Sequence, residues 1–201
     1  MTTLLLARHG ETDWNRDHRW QGHEGPPLNE TGRRQARDLA ERVHGLDAIY
    51  SSDTIRVRET AEIVAARHGR GLHTDARLRE MGFGVWEGLT RAEIERLHGE
   101  DFARWLTDGL PTPAGGEPDD AVAERVLEAL LEIAARHADE RVLVVTSGGP
   151  IRAALAHARG LDHAAARLLP RPENCEVVEL EATDGALVDR TSAGSRSAAT
   201  R

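Results

Sequence analysis

The chain has 201 residues, a formal net charge of −8 and 26 basic side chains, every one of them an arginine. Because lysine is absent, the sequence excludes Schiff-base catalysis, pyridoxal phosphate anchoring and the phosphate-binding lysine of a P-loop. The acidic balance argues against a general nucleic-acid or anionic-membrane binder, and the single Cys175 excludes a disulfide framework and fits a reducing compartment.

Apolar runs and helical spacings alternate through the first half of the chain. Leu4–Ala7 is too short for a helix and ends at Arg8-His9-Gly10, so it predicts a buried strand. Thr31 and Thr90 are predicted to cap the helices that they open. The further predicted elements are a helix from Thr31 to about His44, a strand at Asp47–Tyr50, a helix that opens at Ser51-Ser52-Asp53 and ends near Gly69, an edge strand at Leu72–Leu78, a helix from Thr90 to about His98 and a short helix over residues 100–109.

The second half opens with a loop and continues with the strongest signals in the sequence. Leu110–Pro118 is rich in proline and glycine and predicts a loop. Asp119–His137 carries apolar residues on one helical face, which predicts an amphipathic helix. The apolar segment Arg141–Thr146 predicts a buried strand, and Ser147-Gly148-Gly149-Pro150 turns from it into a helix that ends near Ala158.

The last segments predict a β-hairpin and a tail. Glu176–Leu180 and Ala186–Val188 flank Asp184-Gly185, a dipeptide typical of hairpin turns. Residues 191–201 are small and polar, so we expect a disordered tail after a single domain over residues 1–190. The sequence shows no signal-peptide pattern and no apolar run of about 20 residues, so we expect a cytoplasmic protein.

Strands that alternate with helices predict a three-layer α/β/α fold around a mostly parallel sheet. In such sheets ligands bind outside the carboxyl ends of the strands. Polar groups follow three predicted strands, at Arg8-His9-Gly10, at Ser51 to Arg56 and at Ser147-Gly148-Gly149. If these strands are parallel neighbours, the three groups share one edge of the sheet.

The residue types at this edge fit a phosphate. Arg8 and His9 fit two interpretations. They are a histidine nucleophile beside an arginine that binds an anion, or a capping histidine beside a surface arginine. Gly10 lets the backbone approach a ligand closely. Arg56 lies one turn into a helix whose free N–H groups favour an anion, and Gly148-Gly149 forms a similar cradle after a buried strand. Two arginines, two helix N-termini and a histidine together predict a phosphate site.

Five linked motifs run in order through residues 3–152. They are Leu5-Leu6-Ala7-Arg8-His9-Gly10-Glu11-Thr12 with Trp14-Asn15, Gln21-Gly22 with Pro27-Leu28-Asn29-Glu30, Ser51-Ser52-Asp53 with Arg56, Leu78-Arg79-Glu80 with Trp86-Glu87-Gly88, and Gly148-Gly149 with Ile151-Arg152. Together they resemble the motifs of the histidine phosphatase superfamily, also called phosphoglycerate mutase-like. A lone Arg-His-Gly is a weak signal, whereas five linked motifs at matching positions are a strong one.

The resemblance implies a role for each matching residue. His9 would attack phosphorus and carry the phosphoryl group, while Arg8 and Arg56 would hold its equatorial oxygens. Glu80 would protonate the leaving oxygen and then activate water. The further phosphate and substrate contacts would come from Asn15, Gln21, the Gly22 backbone, Ser147 and Gly148.

Ser147 departs from the family pattern, because the superfamily normally has a second histidine directly before the last glycine pair. A hydroxyl can donate one hydrogen bond to a phosphoryl oxygen but brings no positive charge. Three interpretations stay open: Ser147 replaces the histidine in a working enzyme, His18 or His23 enters the site, or the site binds phosphate without efficient turnover. Gly82 and Gly25-Pro26 also differ from the family near the expected leaving group, so they leave the substrate open.

The sequence therefore predicts a phosphoric monoester hydrolase that cleaves a small phosphorylated metabolite through phospho-His9. It predicts no metal or other cofactor, since no metal-ligand spacing stands out, and no nucleic-acid or membrane partner. The alternatives are a phosphoglycerate-type mutase, for which the chain is short, and a phospholigand-binding protein with weak or no turnover because of Ser147. The sequence is compatible with a monomer or a homodimer.

Overall fold

The computed structural model describes residues 1–108 and 112–191, which fold around one six-stranded sheet in the order β3-β2-β4-β1-β5-β6. The strands are β1 Thr2–Arg8, β2 Ala48–Ser51, β3 Leu72–Thr74, β4 Arg141–Thr146, β5 Val177–Thr183 and β6 Ala186–Asp189. The strands β1 to β4 run parallel, whereas β5 pairs antiparallel with both β1 and β6. The predicted mostly parallel sheet is confirmed.

Helices cover both faces of this sheet. The α-helices of the described residues are α1 Asp13–Arg16, α2 Glu30–Arg42, α3 Ile55–His68, α4 Arg91–Asp108, α5 Asp119–Arg136, α6 Gly148–Ala158 and α7 His163–Leu168. Short 3-10 turns cover Ala76–Leu78 and Gly84–Trp86.

The sheet has two different buried faces, because successive residues of a strand point to opposite sides. On one face Leu5 and Ile49 pack with apolar residues of α2 and α3. On the other face Leu4, Leu6 and Val144 pack with apolar residues of α4, α5 and α6. The predicted three-layer α/β/α arrangement is therefore confirmed.

Side-chain caps decide where two of the helices begin. Asn29 Oδ1 accepts the Gly32 N–H at 2.9 Å, so α2 begins after Asn29 and the predicted cap at Thr31 is wrong. Thr90 caps α4 as predicted. Its Oγ accepts the Glu93 N–H at 3.3 Å, and the Glu93 carboxylate accepts the Thr90 N–H at 2.8 Å.

The predicted edge strand Leu72–Leu78 is wrong beyond Thr74, where β3 ends. Asp75 Oδ1 accepts the Arg77 N–H at 2.9 Å and turns the chain into a 3-10 turn. The same carboxylate also pairs with the Arg77 guanidinium at 2.7 Å. The chain therefore leaves the sheet at Thr74, beside Ser51 at the carboxyl end of β2.

The helices predicted over residues 90–98 and 100–109 form one element, α4, with a kink. His98 has φ −138° and ψ 31°, so the helical geometry is interrupted there. No apolar period in the sequence predicts the short helices α1 and α7, because each contains so few residues. Each of them begins at a side-chain cap, at Thr12 and at Asp162.

The predicted hairpin is confirmed. Asp184 and Gly185 join β5 to β6 with φ values of 49° and 78°, the conformation that a type I′ turn requires. The predicted tail from residue 192 onward lies outside the described residues, as do residues 109–111 of the predicted short helix and loop. In the described part of the chain, no helix is long and apolar enough to cross a membrane.

Candidate active site

The carboxyl ends of β1, β2 and β4 lie side by side at one edge of the sheet. Strand β4 pairs with β1 through Arg8 and Thr146, and with β2 through Ser51 and Val145. His9 follows Arg8 directly, and its backbone N–H donates to the Thr146 carbonyl at 2.9 Å. The polar groups that follow these three strands therefore share one edge, as the sequence predicts.

His9 is buried, with 3% of its surface exposed. Its Nδ1 lies 2.7 Å from the Gly10 carbonyl oxygen. Because a carbonyl only accepts hydrogen bonds, this contact holds the ring proton on Nδ1 and leaves a lone pair on Nε2. Burial, and then the charges of Arg56 and Arg8, hold the pKa of His9 well below its ordinary value of about 6.5. The ring is therefore neutral at neutral pH and can act as a nucleophile.

Two arginines beside this histidine are each anchored to the backbone. Arg56 is fully buried and donates to the Gly22 and Glu24 carbonyls at 2.6 and 3.1 Å. Arg8 donates to the Pro172 carbonyl at 2.8 Å. The Nε of each arginine is buried and has no hydrogen-bond partner among the described residues. A buried guanidinium with an unused donor is suited to bind an anion.

Ser147 lies at the same edge, at the N-cap position of α6. Its side chain makes no capping hydrogen bond, and its buried Oγ has no partner among the residues that the structure describes. The neighbouring hydroxyl is different, since Thr146 Oγ donates to the Leu78 carbonyl at 2.6 Å. Ser147 therefore offers an unused donor beside His9, whereas Thr146 has a structural role.

Glu80 contacts the N-terminus of α6. Its Oε2 accepts the Gly149 N–H at 3.0 Å, and its Oε1 accepts the Met81 N–H at 2.8 Å. A Cβ at position 149 would clash with Glu80 Oε1, so glycine is required for this close approach. The anion that Gly149 holds is therefore a carboxylate of the chain itself, which the dipole of α6 stabilises. This contact keeps Glu80 at the N-terminus of α6, the helix that follows Ser147.

Arg125 fixes the loop around Glu80, and sequence analysis missed it. This α5 side chain donates to the carbonyls of Arg77, Arg79 and Glu80, the last two at 2.7 and 3.0 Å. It also forms a bidentate ion pair with Glu117 at 2.7 and 2.8 Å. Nothing in the sequence distinguishes Arg125 from the other polar residues of its helix.

Two glycines of the motifs are required by packing within the protein. A Cβ on Gly10 would clash with the Gly32 carbonyl of α2, so its close approach is to a helix, not to a ligand as the sequence suggests. A Cβ on Gly22 would clash with the Glu87 carboxylate. Glu87 accepts backbone N–H groups from both neighbouring loops at distances from 2.9 to 3.1 Å, and so holds the Gly22 segment against the Glu80 loop.

Asn15 and Gln21 order the loop that follows β1. Asn15 Oδ1 accepts the Thr12 N–H at 3.2 Å and the Asn174 amide at 3.3 Å. Asn174, which sequence analysis missed, also donates to the His9 carbonyl at 2.8 Å. The Gln21 amide contacts Thr12 Oγ through Nε2, while its buried Oε1 has no partner among the described residues. Rotating this amide by 180° lets Thr12 donate to Oε1 and frees Nε2 as a donor.

The structure shows no contact of either alternative histidine with His9, although the His23 ring lies beside Gly82 of the Glu80 loop, 3.6 Å from where a Cβ would stand. His18 is exposed in a turn after α1, with φ 54°. The His23 side chain is 40% exposed and lies 4.0 Å from Glu117. Neither histidine contributes to the hydrogen bonds or charge effects that the structure gives for His9. Among the described residues, no group of three or more His, Cys, Asp or Glu side chains could hold a metal ion.

A pocket of about 300 Å³ opens beside Glu80 and Gly149. Arg152 and Arg171 line it, and sequence analysis assigned neither of them to the site. Arg152 lies one turn into the helix that begins at Gly148-Gly149, and this spacing in the sequence indicates a side chain near the site. Arg171 lies in the loop before β5, and no motif marks it.

The comparisons with known proteins agree with this geometry. The sequence model of the histidine phosphatase superfamily (branch 1) matches residues 4–191. The chain belongs to this family. Phosphoserine phosphatase 1 of Hydrogenobacter thermophilus is 35% identical over 165 residues, which cover 81% of this chain and 78% of that protein.

Two solved structures extend the likeness to nearly the whole chain. Bacillus stearothermophilus YhfR superposes with a TM-score of 0.89 at 36% identity, over 95% of this chain and 96% of that one. A mycobacterial glucosyl-3-phosphoglycerate phosphatase, in complex with VO3, gives a TM-score of 0.83 at 33% identity, over 94% of this chain and 96% of that one. The predicted superfamily and fold are confirmed, and the family with these relatives supports a phosphoric monoester hydrolase.

Proposed function

We propose that this chain hydrolyses a small phosphomonoester through a phosphohistidine on His9. The observation that carries the proposal is the state of the His9 ring. Its Nδ1 proton is held by the Gly10 carbonyl, its pKa is depressed by burial, and two anchored arginines lie beside it. A neutral ring with a lone pair on Nε2, next to two cations, is suited to attack an anionic substrate.

In the first step, Nε2 of His9 attacks phosphorus while the bond between phosphorus and the leaving oxygen breaks. Arg8 and Arg56 hold the equatorial oxygens, where charge spreads in the transition state. Ser147 Oγ donates one further hydrogen bond, as its buried and unpartnered position supports. Glu80 in its protonated form gives its proton to the leaving oxygen, so the product departs as a neutral alcohol.

In the second step, a water oxygen attacks phosphorus and the bond between phosphorus and Nε2 breaks. The Glu80 carboxylate takes a proton from this water, and His9 regains its lone pair as orthophosphate leaves. The hydrogen bonds from Met81 and Gly149 support a Glu80 side chain held in one position, as the acid in the first step and as the carboxylate in the second. The two steps balance with water as the single co-reactant.

Metal independence and a cytoplasmic location stay predictions.

The remaining predicted residues have supporting parts in this proposal. Gly22 provides the carbonyl that anchors Arg56, and Asn15 orders the loop after β1. Gln21, with its amide rotated, donates to the phosphate or the substrate. Gly148 contributes a backbone N–H of the first turn of α6, where an anion is favoured.

Ser147 favours one second candidate function, phospholigand binding with weak or no turnover. Its unpartnered hydroxyl fits a ligand contact under both functions. If the site is adapted to serine, Ser147→His gains little activity. A large gain in phosphate release from Ser147→His instead favours a binding protein that has lost turnover.

Phosphate release from phosphoserine, 3-phosphoglycerate and 4-nitrophenyl phosphate tests the proposal. We expect hydrolysis that is lost in His9→Ala and kept in His44→Ala, a matched change at an exposed histidine. Label exchange between the phosphate positions of phosphoglycerate that outpaces phosphate release indicates a mutase instead. Turnover by His9→Ala at the parent rate rules out the phosphohistidine route.

A further inference from the structure

The pocket beside Glu80 has apolar walls that a phosphate group does not need. Met81 and Phe83 come from the Glu80 loop, Trp105 comes from α4 and Leu127 comes from α5. A volume of about 300 Å³ lies at the lower end of the range for ligand pockets, about 300–1,000 Å³. The pocket therefore fits an apolar body of about the size of one ring, next to the group that protonates the leaving oxygen.

Three side chains on the pocket wall carry hydrogen-bond donors that have no acceptor among the described residues. Arg152 and Arg171 make no hydrogen bond or ion pair there, although the Arg171 guanidinium lies 5.9 Å from the centre of the Trp20 ring. Trp105 is buried, and its Nε1–H is also without a partner. A buried donor such as this indole N–H is expensive to leave unsatisfied.

The acidic side chains of the same wall are already engaged. Asp119 pairs with Arg167 at 2.6 Å, and Asp162 accepts a backbone N–H of α7 at 2.8 Å. Asp120 accepts a backbone N–H of α5 at 2.9 Å, and Glu80 is held by two such groups. The wall therefore offers unused donors to a ligand, and a complementary ligand supplies acceptors.

The charges that act on the arginines also indicate an anionic ligand. Burial lowers the pKa of Arg8 and of Arg152, and the charge of Arg171 lowers both further, whereas Glu80 acts in the opposite direction. Arg171 therefore lies near enough to repel both the phosphate arginine and Arg152. The lining also includes carboxylates, so an anion would be attracted by the guanidinium groups of Arg152 and Arg171, which are unpaired among the described residues, and not by a net positive charge of the pocket. A second anion beside the phosphate relieves the repulsion among these arginines.

We propose that the substrate's leaving group carries a carboxylate, bound by Arg152 and Arg171, on an apolar body of about ring size that fills the pocket. The inference rests on the proposed phosphatase function and specifies its substrate class. The proposed substrate differs from small carboxylated esters such as phosphoserine, because their leaving group has no apolar body. The planar guanidinium groups match the two oxygens of a carboxylate.

Matched aryl phosphates test this inference. We compare 3- and 4-(carboxymethyl)phenyl phosphate with the corresponding (carbamoylmethyl)phenyl phosphates, which replace the carboxylate by a neutral amide of the same shape. We expect kcat/KM for the better acid to exceed that for its amide by about tenfold, the size of a charge-assisted hydrogen bond. We also expect kcat/KM for 4-carboxybenzyl phosphate, whose leaving group is an alkyl alcohol, to exceed that for the alkyl esters phosphoserine and 3-phosphoglycerate. An acid-to-amide ratio of one or less at both ring positions overturns the carboxylate, and a preference for the two small esters overturns the apolar body.

Substitution of the two arginines assigns the preference to its source. Arg152→Gln and Arg171→Gln are each expected to lower the acid-to-amide ratio of kcat/KM about tenfold. Arg37→Gln makes the same change at an exposed arginine of α2 and is expected to leave the ratio as in the parent protein. Because Arg171 is exposed, its variant keeps the test valid even if Arg152→Gln fails to fold. A ratio that both pocket variants leave intact contradicts the assignment.

Binding of the non-hydrolysable phosphonate analogues separates this inference from the proposed function. If no ester is hydrolysed but the acid phosphonate binds about tenfold tighter than the amide, and Arg171→Gln removes that preference, the phosphatase proposal fails and the carboxylate site stands. If hydrolysis depends on His9 while the two phosphonates bind equally, the phosphatase stands and the carboxylate site fails. Calorimetry with the full chain provides both affinities.

Discussion

The phosphate end of the site and the pocket beside it meet at Glu80, yet they are constructed in different ways. At the phosphate end Arg8 is the last residue of β1, and His9 and Ser147 directly follow β1 and β4, so the register of the sheet places them. Arg56 joins them from the first turn of α3, which follows β2. The pocket consists of helix faces and a loop from distant parts of the chain, with Arg152 on α6 and Arg171 before β5. The sheet therefore positions the residues of the proposed phosphoryl transfer. The surrounding helices form the pocket that selects the substrate in the proposal.

The largest expected effect comes from breaking the contact where the two regions meet. In Gly149→Ala the new Cβ displaces the Glu80 carboxylate, and a misplacement of about 1 Å costs about 100-fold in kcat. Gly71→Ala is the matched control, since nothing lies within 4 Å of a Cβ there. Steady-state kinetics on one ester measure both variants. Parent-like turnover by Gly149→Ala means that Glu80 does not act from this position.

Arg125→Gln is expected to affect the Glu80 loop alone, because Arg125 holds that loop and makes no contact with the phosphate end among the described residues. We expect kcat to fall about tenfold for alkyl phosphates, which need a proton on the leaving oxygen, and clearly less for 4-nitrophenyl phosphate. Arg159→Gln serves as the control, since it breaks only a surface pair with Asp189 at 2.7 Å. Equal losses for both kinds of ester point to a general structural role for Arg125.

Ser147→Ala removes one donor from the phosphate end. The hydrogen bond goes to a charged phosphoryl oxygen and is worth about 1.5 kcal/mol, so we expect kcat/KM to fall roughly tenfold for every ester. The acid-to-amide preference of the pocket is expected to stay the same, since Ser147 does not line it. A loss confined to carboxylated esters contradicts the separation of the two regions.

The smallest expected effect is that of mild acid on His9. Its depressed pKa keeps the ring neutral as the pH falls through about 6.5, so NMR of the free enzyme is expected to show no His9 transition there. The unfolded chain binds this proton more tightly than the folded one, so the His9 contribution lowers stability as the pH drops below about 6.5 and adds nothing above it. A His9 transition at or above about 6.5 contradicts the buried, neutral nucleophile.

Sequence predicts the shared edge of the sheet well, because strand ends and linked motifs encode it locally. The alternation of strands and helices is enough to place Arg8, His9 and Ser147 at one edge of the sheet. The supporting contacts are different in kind. Arg125 holds carbonyls 45 to 48 residues away in the chain, and Asn174 holds the His9 carbonyl from a distance of 165 residues. Such contacts depend on how helices and loops pack, and no local spacing records them.

Isolation of the phosphorylated enzyme tests directly whether His9 carries the phosphoryl group. In Glu80→Gln, 4-nitrophenyl phosphate still phosphorylates the enzyme because its leaving group needs no proton, whereas the attack of water is slowed. Phosphorus NMR of the quenched protein is expected to show an acid-labile phosphohistidine substituted at Nε2, because Nδ1 carries the proton held by the Gly10 carbonyl. The signal is expected to vanish in the additional variant His9→Ala. A phosphoryl group on Nδ1, or turnover of the parent enzyme with no phosphohistidine at any time, contradicts the account.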